Sequence, residues 1–240
     1  MARELNLKKI GDVVDVSAVK ADADLHEVDE MIRIVRQYSC VCAAPMPWST
    51  ERTLEGLKGT PAVVTGVVGF PSGATFPEAK AAEASRLVAM GCKEIDMVMN
   101  IGAFKSGLYD YVQKDIEAVI HAVPGVPVKA ILEIAYLTDE EICRASELVV
   151  KAGVTYVKTG TGWGPKPTTV HTIELIRGTI GDAALIKAAG GVRDLDTLLA
   201  MYSSGCDRFG AYFGSHSAGG TAPRGRAVMT RPRENCGLWV

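Results

Sequence analysis

The sequence has little of what several large protein classes require. Its 240 residues carry a formal net charge of −2 at pH 7, so there is no basic footprint for nucleic acid and none for an anionic membrane surface. No apolar run approaches the roughly 20 residues that a transmembrane helix needs. The first ten residues, MARELNLKKI, have some basic character, but no apolar stretch follows them, and no secretory leader is expected. Six cysteines occur, at 40, 42, 92, 143, 206 and 236, with no Cys-x-x-Cys pair among them. Cys40 and Cys42 would share one face of a candidate strand. The four histidines (His26, His121, His171, His216) are too scattered to complete a metal site with them. Free thiols, no metal and a cytoplasmic location are the expectation.

What is present is an alternation. Of the residues 48% are hydrophobic, enough for one large core, and an α/β barrel commonly runs to roughly 250 residues as one domain. Short apolar segments read as strands at Val13–Ser17, Cys40–Ala44, Ala62–Phe70, Glu94–Asn100, Val128–Ile134, Tyr156–Gly160, Ala184–Gly190 and Asp207–Tyr212. Helical spacing lies between them. Leu25, Val28, Ile32 and Val35 recur at three- and four-residue steps, as do Tyr109, Val112, Ile116 and Ile120. Thr138 with Glu141 three residues later reads as a capping box, and Gly91, Gly153 and Gly205 fall where helices should end.

Alternating strands and helices imply a parallel sheet. Its two forms are a closed (β/α)8 TIM barrel and a doubly wound open sheet. An open parallel sheet is covered on both faces and tolerates few charges within its strands. Here Asp96, Lys158 and Lys187 interrupt otherwise apolar strands, and a barrel lumen gives them a shared space near the rim where barrel enzymes place their chemistry. The barrel is therefore expected, as one domain over residues 1–214. After the eighth strand, residues 215–240 lack any apolar stripe of helical spacing. An irregular or disordered tail is expected there, with the eighth helix poorly formed or absent.

Strand alternation turns Val157 outward and Lys158 inward, and Lys187 has the same phase in the neighbouring strand. Two ammonium groups in a confined, low-dielectric lumen depress each other's pKa. A lysine that offers a free amine near neutral pH can attack a carbonyl. Asp96 could balance the surplus charge and relay a proton. A single strand-end lysine snorkelling into solvent is an ordinary structural feature; three matched inward charges are a costly one. Gly190 and Gly191 after the seventh strand and Gly210 in the eighth could bind phosphate through backbone amides, aided by the N-terminus of a following helix. A Gly-Gly turn is equally ordinary loop chemistry.

Several long segments, in order, resemble one family. They are Val67-Val68-Gly69-Phe70-Pro71-Ser72-Gly73, Glu94-Ile95-Asp96-Met97-Val98-Met99-Asn100-Ile101-Gly102, Lys129-Ala130-Ile131-Leu132-Glu133, Val157-Lys158-Thr159 and Lys187-Ala188-Ala189-Gly190-Gly191-Val192-Arg193. From about Asp15 to Gly210 the chain is similar to the deoxyribose-phosphate aldolases. The resemblance implies a (β/α)8 barrel that joins acetaldehyde to D-glyceraldehyde 3-phosphate reversibly, with neither metal nor cofactor. It implies Lys158 as Schiff-base nucleophile, Lys187 as its electrostatic partner, Asp96 as proton relay, and Gly162, Gly190, Gly191 and Gly210 at the phosphate. Partners would be small aldehydes and sugar phosphates, and self-association into a homo-oligomer stays open.

The chain departs from that family's pattern at three places. Asp15-Val16-Ser17 stands for the usual Asp-x-Thr, and Gly160 replaces a serine after Lys158. Tyr212 and Phe213 stand where two phosphate-binding serines are usual. The third departure keeps two alternatives open: a lysine aldolase for an unphosphorylated or different aldehyde, and a catalytically silent barrel that binds a sugar phosphate.

Overall fold

A computed structural model describes residues 3–212. Its strands are β1 (Val14–Ala18), β2 (Cys42–Pro45), β3 (Val63–Val68), β4 (Glu94–Val98), β5 (Val128–Ile131), β6 (Tyr156–Lys158), β7 (Leu185–Ala189) and β8 (Arg208–Tyr212). Each pairs in parallel with the next, and β8 pairs with β1, which closes the barrel. The open-sheet alternative is thereby excluded. All eight expected strands are present, most of them shorter than their apolar runs. The runs continue past the strand ends into buried residues such as Met99 and Leu132, whose amides still donate to the Ile131 and Lys158 carbonyls of the neighbouring strands.

The outer layer comprises α1 (Leu25–Tyr38), α2 (Thr50–Gly56), α3 (Pro77–Met90), α4 (Ile101–Lys105), α5 (Tyr109–Ala122), α6 (Asp139–Lys151), α7 (Val170–Ile180) and α8 (Leu195–Ser203). Local chemistry sets their limits. Asp24 caps α1 by accepting from the Glu27 amide. Thr138 and Glu141 form the expected capping box of α6, each side chain meeting the other's backbone amide. Gly91 ends α3 at φ 126°, a conformation open to glycine. The apolar stripes of α1 and α5 place Val28, Ile32, Val35, Val112 and Ile116 against the outward residues of the strands.

Two layers of opposite character result. Outward strand residues such as Val16, Ile95, Met97, Ala130, Val157, Ile186 and Phe209 join the apolar shell beneath the helices. Inward residues of the same strands include Asp15, Asp96, Lys129, Lys158, Lys187 and Arg208, all buried. Most barrels fill this lumen with branched apolar side chains; this one fills much of it with charge. Among the described residues no helix is long and apolar enough to cross a membrane. The expected tail at 215–240, the helix expected to be missing after β8, and Phe213 lie outside the described residues.

Candidate active site

The inward charges form a closed circuit. Glu94 pairs with Lys129 at 2.5 Å and Lys129 with Asp96 at 2.8 Å. Asp96 pairs with Lys187 at 2.8 Å and Lys187 with Asp15 at 2.5 Å. Asp15 pairs with Arg208 at 2.6 Å, and Arg208 returns to Glu94 at 3.2 Å. Three carboxylates thus alternate with three cations around the lumen, supplied by β1, β4, β5, β7 and β8. Lys158 stands outside the circuit. Among the described residues its ion-pair partner is Asp96, its Nζ donating to Oδ2 at 2.7 Å, the oxygen that also accepts from Lys187. Lys158 and Lys187 are register partners across β6 and β7, so the two ammonium groups meet at one carboxylate oxygen. The Thr65 hydroxyl donates to the other oxygen at 2.9 Å.

This arrangement decides which cation gives way. Burial opposes charge on every one of them, and only neighbouring carboxylates can offset that cost. Lys129 has Asp96, Asp15 and Glu94 close by and is raised above the usual lysine range despite its burial. Arg208 is likewise raised, burial being outweighed by Asp15 and Glu94. Lys187 is raised, because Asp15 and Asp96 outweigh its burial. Lys158 is pulled down to about 8: burial acts first, Asp96 resists, and Lys187 adds to the depression. The mutual depression expected of the two lysines is therefore wrong for Lys187. Its charge is fixed by Asp15, and only the surplus cation gives way. Asp96 lies well below the usual carboxylate range, since Lys129, Lys158 and Lys187 overcome its burial.

Asp15, Cys42 and Glu94 bring their ligand atoms within 4.8 Å of one another. Arg208 and Lys187 already occupy the oxygens of Asp15, and Lys129 and Arg208 those of Glu94. Burial also raises Cys42, which keeps its thiol protonated. The donor set is therefore filled by ammonium and guanidinium groups and does not suit a metal ion.

The glycines gather at the carboxyl ends of neighbouring strands. Gly162, Gly190 and Gly191 have φ of 87°, 81° and 99°. A Cβ on Gly190 would stand 3.4 Å from the Gly162 Cα, and one on Gly191 would run into Pro167. Gly210 pairs with Ala189 across β7 and β8. The expected help from a helix N-terminus is partly used up: Asp194 caps α8 by accepting from the Thr197 amide at 2.7 Å. The side chains of Tyr212 and Phe213 lie outside the described part of this region.

The strand-phase reading missed four of the six members of the circuit. Lys129, Glu94, Arg208 and Asp15 occupy the same inward phase as the three residues it selected. Their alternation with Ala130, Ile95, Phe209 and Val16 was the available signal.

No protein-family model matches the chain. Among curated proteins, the deoxyribose-phosphate aldolase of Methanothermobacter thermautotrophicus is 44% identical over 208 residues, which cover 86% of this chain and 92% of that protein. This chain belongs to the deoxyribose-phosphate aldolase family. The aldolase QR15 has a TM-score of 0.79 at 30% identity, covering 86% of this chain and 91% of that structure. The deoxyribose-phosphate aldolase of Aeropyrum pernix, described as a tetramer, shares the fold at 23% identity with a TM-score of 0.78, covering 86% of this chain and 88% of its own. Within the deoxyribose-phosphate aldolase family the charge circuit gives a physical ground for comparing the buried lysines.

Proposed function

We propose that this chain reversibly cleaves 2-deoxy-D-ribose 5-phosphate to acetaldehyde and D-glyceraldehyde 3-phosphate through an imine on Lys158. The observation that carries the reading is the position of Lys158 as the one cation outside a charge-balanced circuit. With its pKa at about 8, roughly a tenth of the molecules offer a free amine at pH 7, against well under one in a thousand for an ordinary lysine.

The amine attacks the aldehyde carbon of the open-chain sugar, and loss of water leaves a protonated imine. Asp96, already bonded to Nζ at 2.7 Å, balances the iminium charge. As the C3 hydroxyl gives up its proton, the C2–C3 bond breaks and its electron pair moves into the imine. D-Glyceraldehyde 3-phosphate departs and an enamine remains. Protonation of the enamine at carbon, then addition of water, releases acetaldehyde and the amine. Lys187 holds its charge beside Lys158 and disfavours a second resident ammonium. Asp96 Oδ2 touches both lysines, which suits it to pass a proton between them. Gly162, Gly190, Gly191 and Gly210 are assigned to the phosphate, whose approach needs bare backbone. Five free cysteines among the described residues suit a reducing cytoplasm. Self-association is part of the reading, supported by the tetramer described for the Aeropyrum pernix relative.

Acetaldehyde release from 2-deoxy-D-ribose 5-phosphate and from 2-deoxy-D-ribose tests both reaction and substrate. The phosphorylated sugar should turn over faster, by a modest factor. Tyr212 and Phe213 replace two hydroxyl donors, and a hydrogen bond to a charged group is worth about 1.5–3 kcal/mol. Tyr212→Ser with Phe213→Ser should then raise kcat/KM for the phosphorylated sugar alone. A preference for the unphosphorylated sugar would favour the lysine aldolase of other aldehydes, and no release from either would favour a silent barrel.

A further inference from the structure

Glu133 follows β5 in a left-handed conformation, φ 56°, which a residue bearing a Cβ adopts only when its surroundings hold it there. Its side chain explains the placement. The residue is 4% exposed, and its Oε2 accepts from the Thr161 amide at 3.2 Å and from the Thr161 hydroxyl. The other oxygen faces two glycines. A Cβ on Gly160 would come within 2.9 Å of Oε1, and one on Gly164 within 2.8 Å. The segment 160–164 therefore wraps around the Glu133 carboxylate, and bare backbone at both ends leaves it room.

The same hydroxyl continues the link, since Thr161 Oγ1 accepts from the Trp163 amide at 2.9 Å. The Trp163 indole then reaches far from its own strand. Its Nε1 donates to the Val19 carbonyl at 3.0 Å, in the loop after β1. Its ring meets Phe70, in the loop after β3, edge to face at 5.9 Å between centroids. In the closed order β1 to β8, β6 is three strands from β1 and three from β3. The loop leaving β6 therefore carries Trp163 over the mouth of the barrel to meet both, with the residue 43% exposed there. Lys158 lies five residues earlier at the end of β6, its side chain 8% exposed.

We propose that Trp163 is a crossbar over the entrance to Lys158 that limits the size of aldehyde admitted, and that Glu133 is the residue that positions it. The inference rests on the reading of Lys158 as the imine-forming lysine. Neither the charge circuit nor the glycines assigned to phosphate would set such a limit. The circuit's carboxylates and cations pair with one another, and the glycines lie in β8 or in the loops after β6 and β7, on one side of the barrel only. An indole fixed at both ends across the opening leaves room for a two-carbon aldehyde or an extended sugar chain more readily than for a ring.

The test is reductive trapping with acetaldehyde and with phenylacetaldehyde. Each aldehyde condenses with the Lys158 amine, losing water, and borohydride delivers hydride to the imine carbon to leave a stable secondary amine. The rate of Lys158 labelling in the unaltered protein should favour acetaldehyde over phenylacetaldehyde by at least about tenfold beyond their ratio on free lysine. Trp163→Ala should remove most of that factor, and Trp163→Phe should keep part of it. Glu133→Ala should shift the ratio in the same direction, Glu133→Gln should retain it because the amide oxygen still accepts, and Glu133→Ala with Trp163→Ala should add little. If Glu133→Ala does not fold, Thr161→Val breaks the same link. An unchanged ratio in Trp163→Ala overturns the crossbar. A shifted ratio there with none in the Glu133 and Thr161 variants overturns the positioning role. Absence of acetaldehyde label on Lys158 in the unaltered protein is a different failure, and it refutes the imine reading itself.

Discussion

Lys187→Leu is expected to lower kcat/KM at pH 7 by about a hundredfold or more, the scale at which a group that sets proton availability acts, and to move the pH profile upward. In the native circuit Lys158 is the cation in excess. Removing Lys187 leaves Asp15, Glu94 and Asp96 facing Lys129, Arg208 and Lys158, so Lys158 becomes necessary to the balance. Asp96 Oδ2 is then no longer shared, and the nearest like charge is gone. Both changes favour the ammonium form. The inflection in kcat/KM, near pH 8 for the native amine, should climb toward the ordinary lysine value of about 10.4. Part of the lost activity should return above pH 9. An unshifted inflection would mean that Lys187 acts only by packing.

Asp96→Asn should shift the same inflection the opposite way. Asp96 is the main influence that keeps Lys158 charged, against burial and Lys187. An amide in its place leaves three ammonium groups converging on a neutral side chain, and the Lys158 inflection should fall below 8. Turnover should nonetheless drop by about 10²–10⁴-fold, because the iminium loses its counter-charge. Stability should fall too: removing one member of a buried ion cluster costs about 3–5 kcal/mol. The folded-state pKa of Asp96 is depressed, so its stabilisation is complete above the unfolded carboxylate value of about 3.9 and is lost as pH falls through the folded value. The gap in stability between the native protein and Asp96→Asn should therefore be widest at neutral pH and close in acid. A gap independent of pH would show that the carboxylate charge is not what matters. Opposite displacements from two single substitutions separate a charge balance from general damage to the site.

The barrel was legible because two periodicities were clean. Period-two apolar segments alternate with three-and-four-spaced stripes, and lone charges inside strands are hard to place in any other parallel architecture. Lys187 and Asp96 stood out against apolar neighbours on both sides, and Lys158 followed the apolar Val157. Lys129, Glu94 and Arg208 lie near the starts of their strands, where a charge is ordinary, so phase alone did not single them out. Asp15 was visible only as part of a family pattern, and without it the pKa of Lys187 takes the wrong sign. Glu133 and Trp163 sit in loops, which carry no periodicity. Their roles come from contacts across 28 and 144 residues of sequence, and no local pattern encodes such distances.

Among the lysines of the lumen (Lys129, Lys158 and Lys187), Lys158 alone is expected to offer a free amine to an aldehyde. The most direct measurement is incubation with acetaldehyde and borohydride at pH 7, followed by peptide mapping of every lysine by mass. An ethyl group on Lys158, with Lys129 and Lys187 unmodified and no label in Lys158→Arg, is the predicted result. Label on Lys187 or Lys129, or label that survives Lys158→Arg at the native rate, would contradict it.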